Sequence, residues 1–233
     1  MIPSVTEFRI LDQKSVSQQV FEELRHRTVQ GQLQPGTRLN EARIAQNMGI
    51  SRAPVREAVQ RLRQEGLVIA KPRHGPVVAE ITGTDAGHLY RVRCALEELA
   101  VVLLMEQKSR DGLGALKSAV GAMTEASRAG DVAQVVEQDV RFHETLCEYS
   151  GNPLLRRIYQ TISAQFRIAA IQDDSREARL PEIADAHAQL LEAIERGDVA
   201  AAVSTLRHHI LNALPSLVAH LEAQTERRHD VKL

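Results

Sequence analysis

The chain has 233 residues, 43% of them apolar and 25% charged, which suits one large or two ordinary globular domains. Only 3% are aromatic and none is Trp, which disfavours a sheet that stacks nucleic-acid bases on aromatic side chains. The sequence has no apolar run of about 18 residues, its first residues show no visible pattern of a secretory signal, and Cys94 and Cys147 do not form a CxxC pair. We therefore expect a cytoplasmic protein with reduced cysteines that does not bind membranes.

The net charge of -1 is unevenly distributed along the chain. Residues 1–80 contain 12 Lys and Arg against 8 Asp and Glu, whereas residues 81–233 contain 17 against 22. A basic part followed by an acidic part suggests two functions on one chain, with nucleic acid as the expected partner of the basic part.

Periodicity and breaker residues divide the chain into five segments. Residues 1–14 lack periodicity and are expected to form a flexible arm, and residues 15–80 form a first domain. Residues 81–83 are a linker to a helical domain over residues 84–225, and residues 226–233 are a frayed tail.

The first domain is predicted to contain three helices and a hairpin. The helices begin after the capping residues Ser15, Asn40 and Ser51. The hairpin follows from two β-rich runs, 67–70 and 77–79, on either side of a turn that contains Pro and Gly.

The second and third helices have the spacing of a helix-turn-helix, in which the second helix of the pair enters the DNA major groove. Opposite its apolar face, this helix carries Arg52, Ala53, Arg56, Gln60 and Arg63. Arg52 and Arg56 share a face and suit bidentate contacts to guanine, while Ser51 and the adjacent N–H groups suit a phosphate oxygen. The alternative is that these arginines form only a solvated helix face.

The hairpin adds a basic wing to this predicted DNA-binding surface. Lys71, Arg73 and His74 precede Gly75, and a glycine at the tip lets two backbones approach closely. We therefore expect the wing to lie along a groove of the DNA.

The DNA-binding domain of GntR-family transcription regulators is similar to residues 31–68, which contain the motifs PGxxLxE, GISRAPVREAV and RLxxEGLV. The resemblance implies a winged helix-turn-helix that binds double-stranded operator DNA as a homodimer. It places at the DNA the side chains of Arg52, Ala53, Pro54 and Arg56 and the wing-tip Gly75.

The sequence departs from the family pattern at one DNA-contact position. Many members carry an Arg directly after the residue that matches Glu41, whereas this chain has Ala42 there. Arg43 follows and is the candidate to replace the missing contact.

Only helices are predicted after residue 84. Their ranges are 84–107, 112–129, 132–149, 153–172, 180–196 and 199–223. The N-caps are expected at Asp111, Asp131, Asn152 and Asp198.

Polar residues lie within the apolar stripes of these helices. A helix turns about 100° per residue, which places Asp139 and His143 one turn apart within one stripe and His187 in the middle of another. In the last helix, His209 is a better inward candidate than His208. One Asp and three His facing a common core suit a divalent cation such as Zn, Ni, Mn or Fe. The alternative is that each His makes a single hydrogen bond and Asp139 pairs with one of them.

The effector-binding domain of the FadR-like branch of the family, the FCD type, is similar to this second half in the stretches DVRFHETL, SGNPLL and HAQLLEAIERGDVAAAVSTLRHHI. The resemblance implies a mainly α protein in which six or seven bundled helices enclose a ligand cavity. It places the metal ligands on Asp139, His143, His187 and His209. Arg93 is a candidate contact for an anionic effector, and the alternative is a salt bridge to Glu97.

These features together predict a ligand-responsive DNA-binding regulator and not an enzyme. We expect a repressor of a catabolic or transport operon whose operator affinity responds to a small organic acid bound at the metal. One alternative is a metal-dependent hydrolase or isomerase that uses the Asp and His site. Another is a regulator whose metal is only structural or is itself the signal.

Overall fold

The computed structural model describes residues 15–230 and is mainly helical. The predicted arm over residues 1–14 and the last three residues of the predicted tail lie outside the described residues. The elements in chain order are α1 (Val16–Val29), α2 (Glu41–Met48), α3 (Arg52–Gln64), β1 (Val68–Lys71), β2 (Gly75–Val78), α4 (Gly83–Gln107), α5 (Arg110–Ala129), α6 (Val132–Glu148), α7 (Pro153–Gln172), a 3-10 helix (Asp174–Arg179), α8 (Leu180–Glu195) and α9 (Val199–Asp230).

The N-terminal domain is built around α3, which packs against α1 and α2 and leads into a small sheet. Its apolar side chains Val55, Val59 and Leu62 are almost fully buried, together with Leu24 of α1. The strands β1 and β2 form an antiparallel hairpin in which Val68 lies opposite Val78. The result is a winged helix-turn-helix with α3 as its second helix.

Two of the three predicted N-caps in this domain make the expected bonds. The hydroxyl of Ser15 accepts from the N–H of Gln18 at 3.1 Å. The side chain of Asn40 accepts from the N–H groups of the second and third residues of α2. Ser51 occupies the N-cap position of α3 with an extended backbone, but its exposed hydroxyl makes no capping bond.

The C-terminal part is a bundle of six α-helices, α4 to α9, in which α4 packs along α9 and α5 packs against α6 and α8. Cys94 and Cys147 are buried in it as free thiols. Across residues 15–230, none of the helices combines the length and the apolar character needed to cross a membrane.

The ends of α6 and α8 fall one residue before the predicted ones, and three further boundaries of the bundle helices also differ from the prediction. The first helix, α4, begins at Gly83, inside the predicted linker, because Thr82 and Asp85 form a reciprocal capping box. In α5, Ser109 takes the capping role expected of Asp111, since its hydroxyl accepts from the N–H of Gly112 at 3.1 Å. The last helix, α9, continues through Asp230, into the segment predicted as a tail.

The two domains meet where α7 contacts the end of α3. The side-chain amide of Gln165 in α7 donates to the carbonyl oxygen of Glu65 at 3.1 Å. The carboxylate of Glu65 accepts from Nε of Arg25 in α1 at 2.9 Å. Gly66 follows with φ +69°, and a Cβ there would overlap the amide of Gln165. The junction therefore favours glycine, because L residues are strained at this φ and a Cβ would displace the end of the Gln165 side chain.

Substituting Gly66 tests this junction. Gly66→Ala is expected to lower the free energy of unfolding by about 1–2 kcal/mol because L residues are strained at positive φ. The free energy of unfolding of this variant should fall by about 1 kcal/mol more, because the Gln165 amide must move and give up its hydrogen bond. The measurement is urea unfolding followed by circular dichroism.

Gly49→Ala is the matched control, since Gly49 has φ +66° and open space where the Cβ would be. Gly49→Ala should show only the loss of unfolding free energy that is due to its positive φ. In a Gln165→Ala background, Gly66→Ala and Gly49→Ala should lower the free energy of unfolding equally. Equal losses in the otherwise unchanged protein would contradict the close contact between α7 and the end of α3.

Candidate metal centre and DNA-binding surface

The helix α6 places one carboxylate and one imidazole side by side in the bundle core. It is held at its start by Asp131, whose carboxylate accepts from the N–H of Gln134 at 3.0 Å. One turn separates Asp139 and His143, which are 4% and 0% exposed. Oδ1 of Asp139 lies 3.2 Å from Nε2 of His143. A carboxylate this deeply buried needs positive charge or hydrogen bonds around it.

The helices α8 and α9 add two further imidazoles to this pair. His187 is fully buried, and its Nδ1–H donates to the carbonyl oxygen of Ile183 at 2.7 Å. His209 is half-buried, whereas the neighbouring His208 is exposed. Burial lowers the pKa of both His187 and His209 below that of a free imidazole, and around His209 the other two imidazoles add to this effect. Both side chains therefore favour the neutral form, which is the form that ligates metals.

The ligand atoms of Asp139, His143, His187 and His209 all lie within 4.8 Å of one another. Nε2 of His143 is 3.2 Å from Nε2 of His187 and 3.3 Å from Nε2 of His209. Ligands about 2.0–2.2 Å from one tetrahedral ion are separated by about 3.3–3.6 Å, so the spacing fits a single cation.

Hydrogen bonds on the far side of two rings explain why these atoms converge. Nδ1–H of His143 donates to the carboxylate of Glu97, and Nδ1–H of His187 donates to a carbonyl oxygen. In the neutral rings, both Nε2 atoms then carry lone pairs, which cannot bond to each other. A cation between them and Asp139 satisfies all three atoms at once.

Arg93 of α4 lies beside the centre and contacts Glu97. Its Nε donates to Oε1 of Glu97 at 2.7 Å, and both side chains are buried. This is the salt bridge that the sequence left open as an alternative to effector binding. Arg93 also lines a cavity of about 400 Å³ together with Asp139 and His209. Arg93 therefore forms the salt bridge with Glu97 and also lines the cavity.

Burial raises the pKa of the Glu97 carboxyl, but His143 and Arg93 outweigh it and hold the pKa below its ordinary value. Tyr159 of α7 donates its hydroxyl proton to the same carboxylate at 2.8 Å. Burial raises the pKa of Tyr159 well above its ordinary value, so the phenol remains protonated and a donor.

The exposed face of α3 carries the predicted DNA contacts. Arg52, Ala53 and Arg56 are exposed and Pro54 is half-buried at the start of the helix. Among the described residues 15–230, neither Arg52 nor Arg56 has an ion-pair partner. The exposed hydroxyl of Ser51 makes no capping bond. The start of α3 thus presents two cations and unbonded backbone N–H groups to solvent.

Other arginines of α3 have roles within the protein. Arg61 lies over the ring of Phe21, 3.9 Å from its centroid, and donates to the side chain of Gln18 at 2.6 Å. Arg63 donates to the side-chain oxygen of Gln60 at 3.2 Å, and both remain exposed. Arg61 therefore joins α3 to α1, while Gln60 keeps its place on the exposed face.

The remaining predicted contacts lie on α2 and the wing. Arg43 is exposed on α2. In the wing, Arg73 and His74 are exposed and lead to Gly75 at the start of β2. Arg73 and Gly75 have positive φ, of 64° and 75°, which makes the tip tight. Nδ1 of His74 hydrogen-bonds the carbonyl oxygen of Pro72 at 3.0 Å.

Sequence reasoning named Glu97 only as a partner for Arg93 and did not single out Tyr159. The signal for Glu97 was present, because it is an acidic residue on the buried face of α4, just as Asp139 is on α6. A buried tyrosine also usually has a hydrogen-bond partner. The contact with His143, 46 residues away in the chain, depends on how the helices pack.

Comparison with family models matches both halves of the chain. Residues 16–78 match the bacterial regulatory proteins of the gntR family, and residues 88–212 match the FCD domain. The two matches correspond to the winged helix-turn-helix and to the bundle that holds the four candidate ligands.

Individual relatives are transcriptional regulators, which does not support the enzyme alternative. The HTH-type regulator YdhC of Bacillus subtilis is 27% identical over 83% of this chain and 85% of its own length. The gluconate operon transcriptional repressor of Bacillus subtilis is 29% identical over 85% and 84%. The solved structure of Escherichia coli McbR superposes with a TM-score of 0.76 at 25% identity, over 88% of this chain and 98% of that one. The chain belongs to the GntR family of bacterial transcriptional regulators, among the members that carry an FCD domain.

Proposed function

We propose that this regulator is a metal-containing, ligand-responsive repressor whose operator affinity is modulated by a small organic acid bound in the bundle. The convergence of one carboxylate and three imidazoles beside a cavity carries this proposal. Asp139, His143, His187 and His209 would hold a divalent cation, for which Zn, Ni, Mn and Fe are suitable candidates. The bound cation would supply a Lewis-acidic position for a carboxylate oxygen.

Arg93 is the feature of the cavity that supports an acidic effector. The lining contains the cations Arg93 and Arg179, the carboxylates Asp139, Asp173, Glu182 and Asp185, and the proposed ligand His209. Arg179 already pairs with Glu182 at 3.3 Å. A carboxylate entering there meets the Arg93 guanidinium, which suits planar carboxylates. The cavity volume of about 400 Å³ is that of a small-molecule site.

The regulatory step would couple the cavity to the two DNA-reading helices of a homodimer. One short helix reads few base pairs, whereas two half-sites read by a dimer multiply the selectivity. An effector that binds one arrangement of the winged domains more tightly shifts the population toward that arrangement. Such coupling typically changes operator affinity by about 1–3 kcal/mol.

An apolar stripe on α4 supports a homodimer. Val92 is 50% exposed and Leu99 is 46% exposed, seven residues apart and therefore on one face of the helix. Leu96 and Leu103, between and beyond them, are half-buried. Large apolar side chains exposed in a row are typical of an interface between subunits.

The DNA-reading assignment predicts the behaviour of two arginine variants. Arg52→Ala and Arg56→Ala should each reduce discrimination for the preferred site by about 1–3 kcal/mol, because each removes a bidentate base contact. The measurement compares binding to a duplex enriched from a random library with binding to a scrambled duplex.

Arg128→Ala is the matched control, since it removes the same charge from an exposed position on α5. It should leave the discrimination unchanged. If both α3 variants keep the wild-type sequence preference, α3 is not the recognition helix.

The metal assignment predicts the effect of removing two ligands. The double variant His143→Ala and His187→Ala should purify without metal while its metal-free form still binds DNA, because the substituted residues lie on α6 and α8 and not on α3. Elemental analysis of the purified proteins measures the metal. In a thermal-shift screen, an organic acid that binds should raise the melting temperature of the metal-loaded wild type but not that of this variant.

His208→Ala controls for the loss of an imidazole, since His208 is exposed next to the proposed ligand His209. It should retain the full metal content. Equal metal in wild type and in the double variant would refute the site.

The homodimer predicts the effect of a charge in the α4 stripe. Leu99→Glu should convert a dimer into a monomer of 25.8 kDa, because a buried unpaired carboxylate opposes association. Light scattering coupled to size exclusion gives the mass. Leu154→Glu, at a residue of α7 that is 54% exposed, is the control and should remain dimeric. A dimeric Leu99→Glu protein would show that this stripe is not the interface.

A further inference from the structure

The bundle core contains a second carboxylate, Glu97, which is not among the four candidate ligands. It is 0% exposed and lies on the buried face of α4. Three side chains from three helices contact it: Arg93 of its own helix, His143 of α6 and Tyr159 of α7. A buried carboxylate with this many partners has a fixed position and orientation.

The two oxygens of Glu97 have separate tasks. Oε1 accepts from Nε of Arg93 at 2.7 Å and from the hydroxyl of Tyr159 at 2.8 Å. Oε2 accepts from Nδ1–H of His143. Because Arg93 and Tyr159 hold one oxygen, the other is directed at the imidazole.

The bond to Glu97 determines which nitrogen of His143 faces the candidate ligands. With the proton on Nδ1, the lone pair lies on Nε2, which is 3.2 Å from both Oδ1 of Asp139 and Nε2 of His187. The opposite tautomer would place the Nδ1 lone pair against the carboxylate oxygen of Glu97 and a proton on Nε2, where the cation would lie. The carboxylate also makes the imidazole a stronger donor to a metal.

We propose that Glu97 is a positioning residue of the metal centre, held by Arg93 and Tyr159 so that it fixes the ring and tautomer of His143. This inference rests on the proposed function, because it requires that the four residues bind a cation. According to this inference, the metal site depends on α4, through Glu97, and on α7, through Tyr159, as well as on the helices that carry the four candidate ligands. Loss of such a partner typically weakens metal binding by about 10–100-fold.

The test compares two adjacent glutamates with Co²⁺ as the probe. Glu97→Gln should raise the dissociation constant for Co²⁺ at least about tenfold, measured by competition with a chelating dye. It should also change the visible absorption of the bound Co²⁺, because His143 is no longer fixed by a charged partner. A purely structural role for Glu97 would leave that absorption as in the wild type.

Glu98→Gln is the matched control. Glu98 is the next residue of α4, and its carboxylate accepts from Arg207 of α9 at 2.7 Å and contacts no candidate metal ligand among the hydrogen bonds of the described residues. This variant should bind Co²⁺ with wild-type affinity and absorption. Circular dichroism and thermal unfolding of the metal-free proteins measure any loss of folding separately.

Tyr159→Phe provides a second test in case Glu97→Gln does not fold. It removes only the hydroxyl that donates to Oε1 and leaves the ring in place. It should weaken Co²⁺ binding by about fivefold, the equivalent of one hydrogen bond near 1 kcal/mol. Unchanged affinity and absorption in this variant would count against the proposed network.

The outcomes separate this inference from the proposed function. If the wild type binds Co²⁺ and Glu97→Gln binds it with the same affinity and absorption, the positioning role is wrong and the metal centre stands. If the wild type binds no Co²⁺ under conditions in which its folding is intact, both are wrong. Weaker binding and altered absorption in Glu97→Gln alone support the inference.

Discussion

The packing of the bundle core depends on bringing one carboxylate and three imidazoles together at the wall of a cavity. In the neutral form, imidazoles whose Nε2 lone pairs face one another and face Asp139 gain nothing from direct contact, whereas a shared cation would bind all of them. The cluster draws on α6, α8 and α9, with His143 and His187 fully buried. A cation bound there would constrain the relative positions of these three helices in addition to their apolar packing.

The helix α7 contacts both functional parts of the molecule. Tyr159 reaches Glu97 and, through it, His143, while Gln165 on the same helix binds the carbonyl oxygen at the end of α3. Six residues separate Tyr159 from Gln165, which is about 9 Å along a helix. A helix moves as a stiff body, so a displacement at its contact with the core also displaces its contact with the recognition helix. The geometry thus provides a physical connection between the two domains.

Local sequence patterns predicted much of this architecture. They did not predict the contacts between residues that are distant in the chain. Asn40, Asp131 and Asn152 cap their helices as expected, because capping depends on residues two or three positions away. The spacing of Asp139 and His143 likewise identified a polar pair on a buried face. The contacts of Glu97 with α6 and α7 required the packing of three helices. At the start of α5, the prediction of Asp111 as the N-cap was wrong, because Ser109 lies two residues earlier and its hydroxyl makes the capping bond.

Arg93 shows how one side chain can satisfy two interpretations of the same sequence. Its Nε donates to Glu97, but a guanidinium carries five N–H donors, so this bond leaves others in the planar fork. The rings of Phe166 and Tyr90 lie 4.9 and 5.4 Å from its central carbon and hold the fork in place. An anion in the cavity beside Arg93 would share this guanidinium with Glu97. Such anion binding and the orientation of His143 would thereby be linked through the buried guanidinium of Arg93.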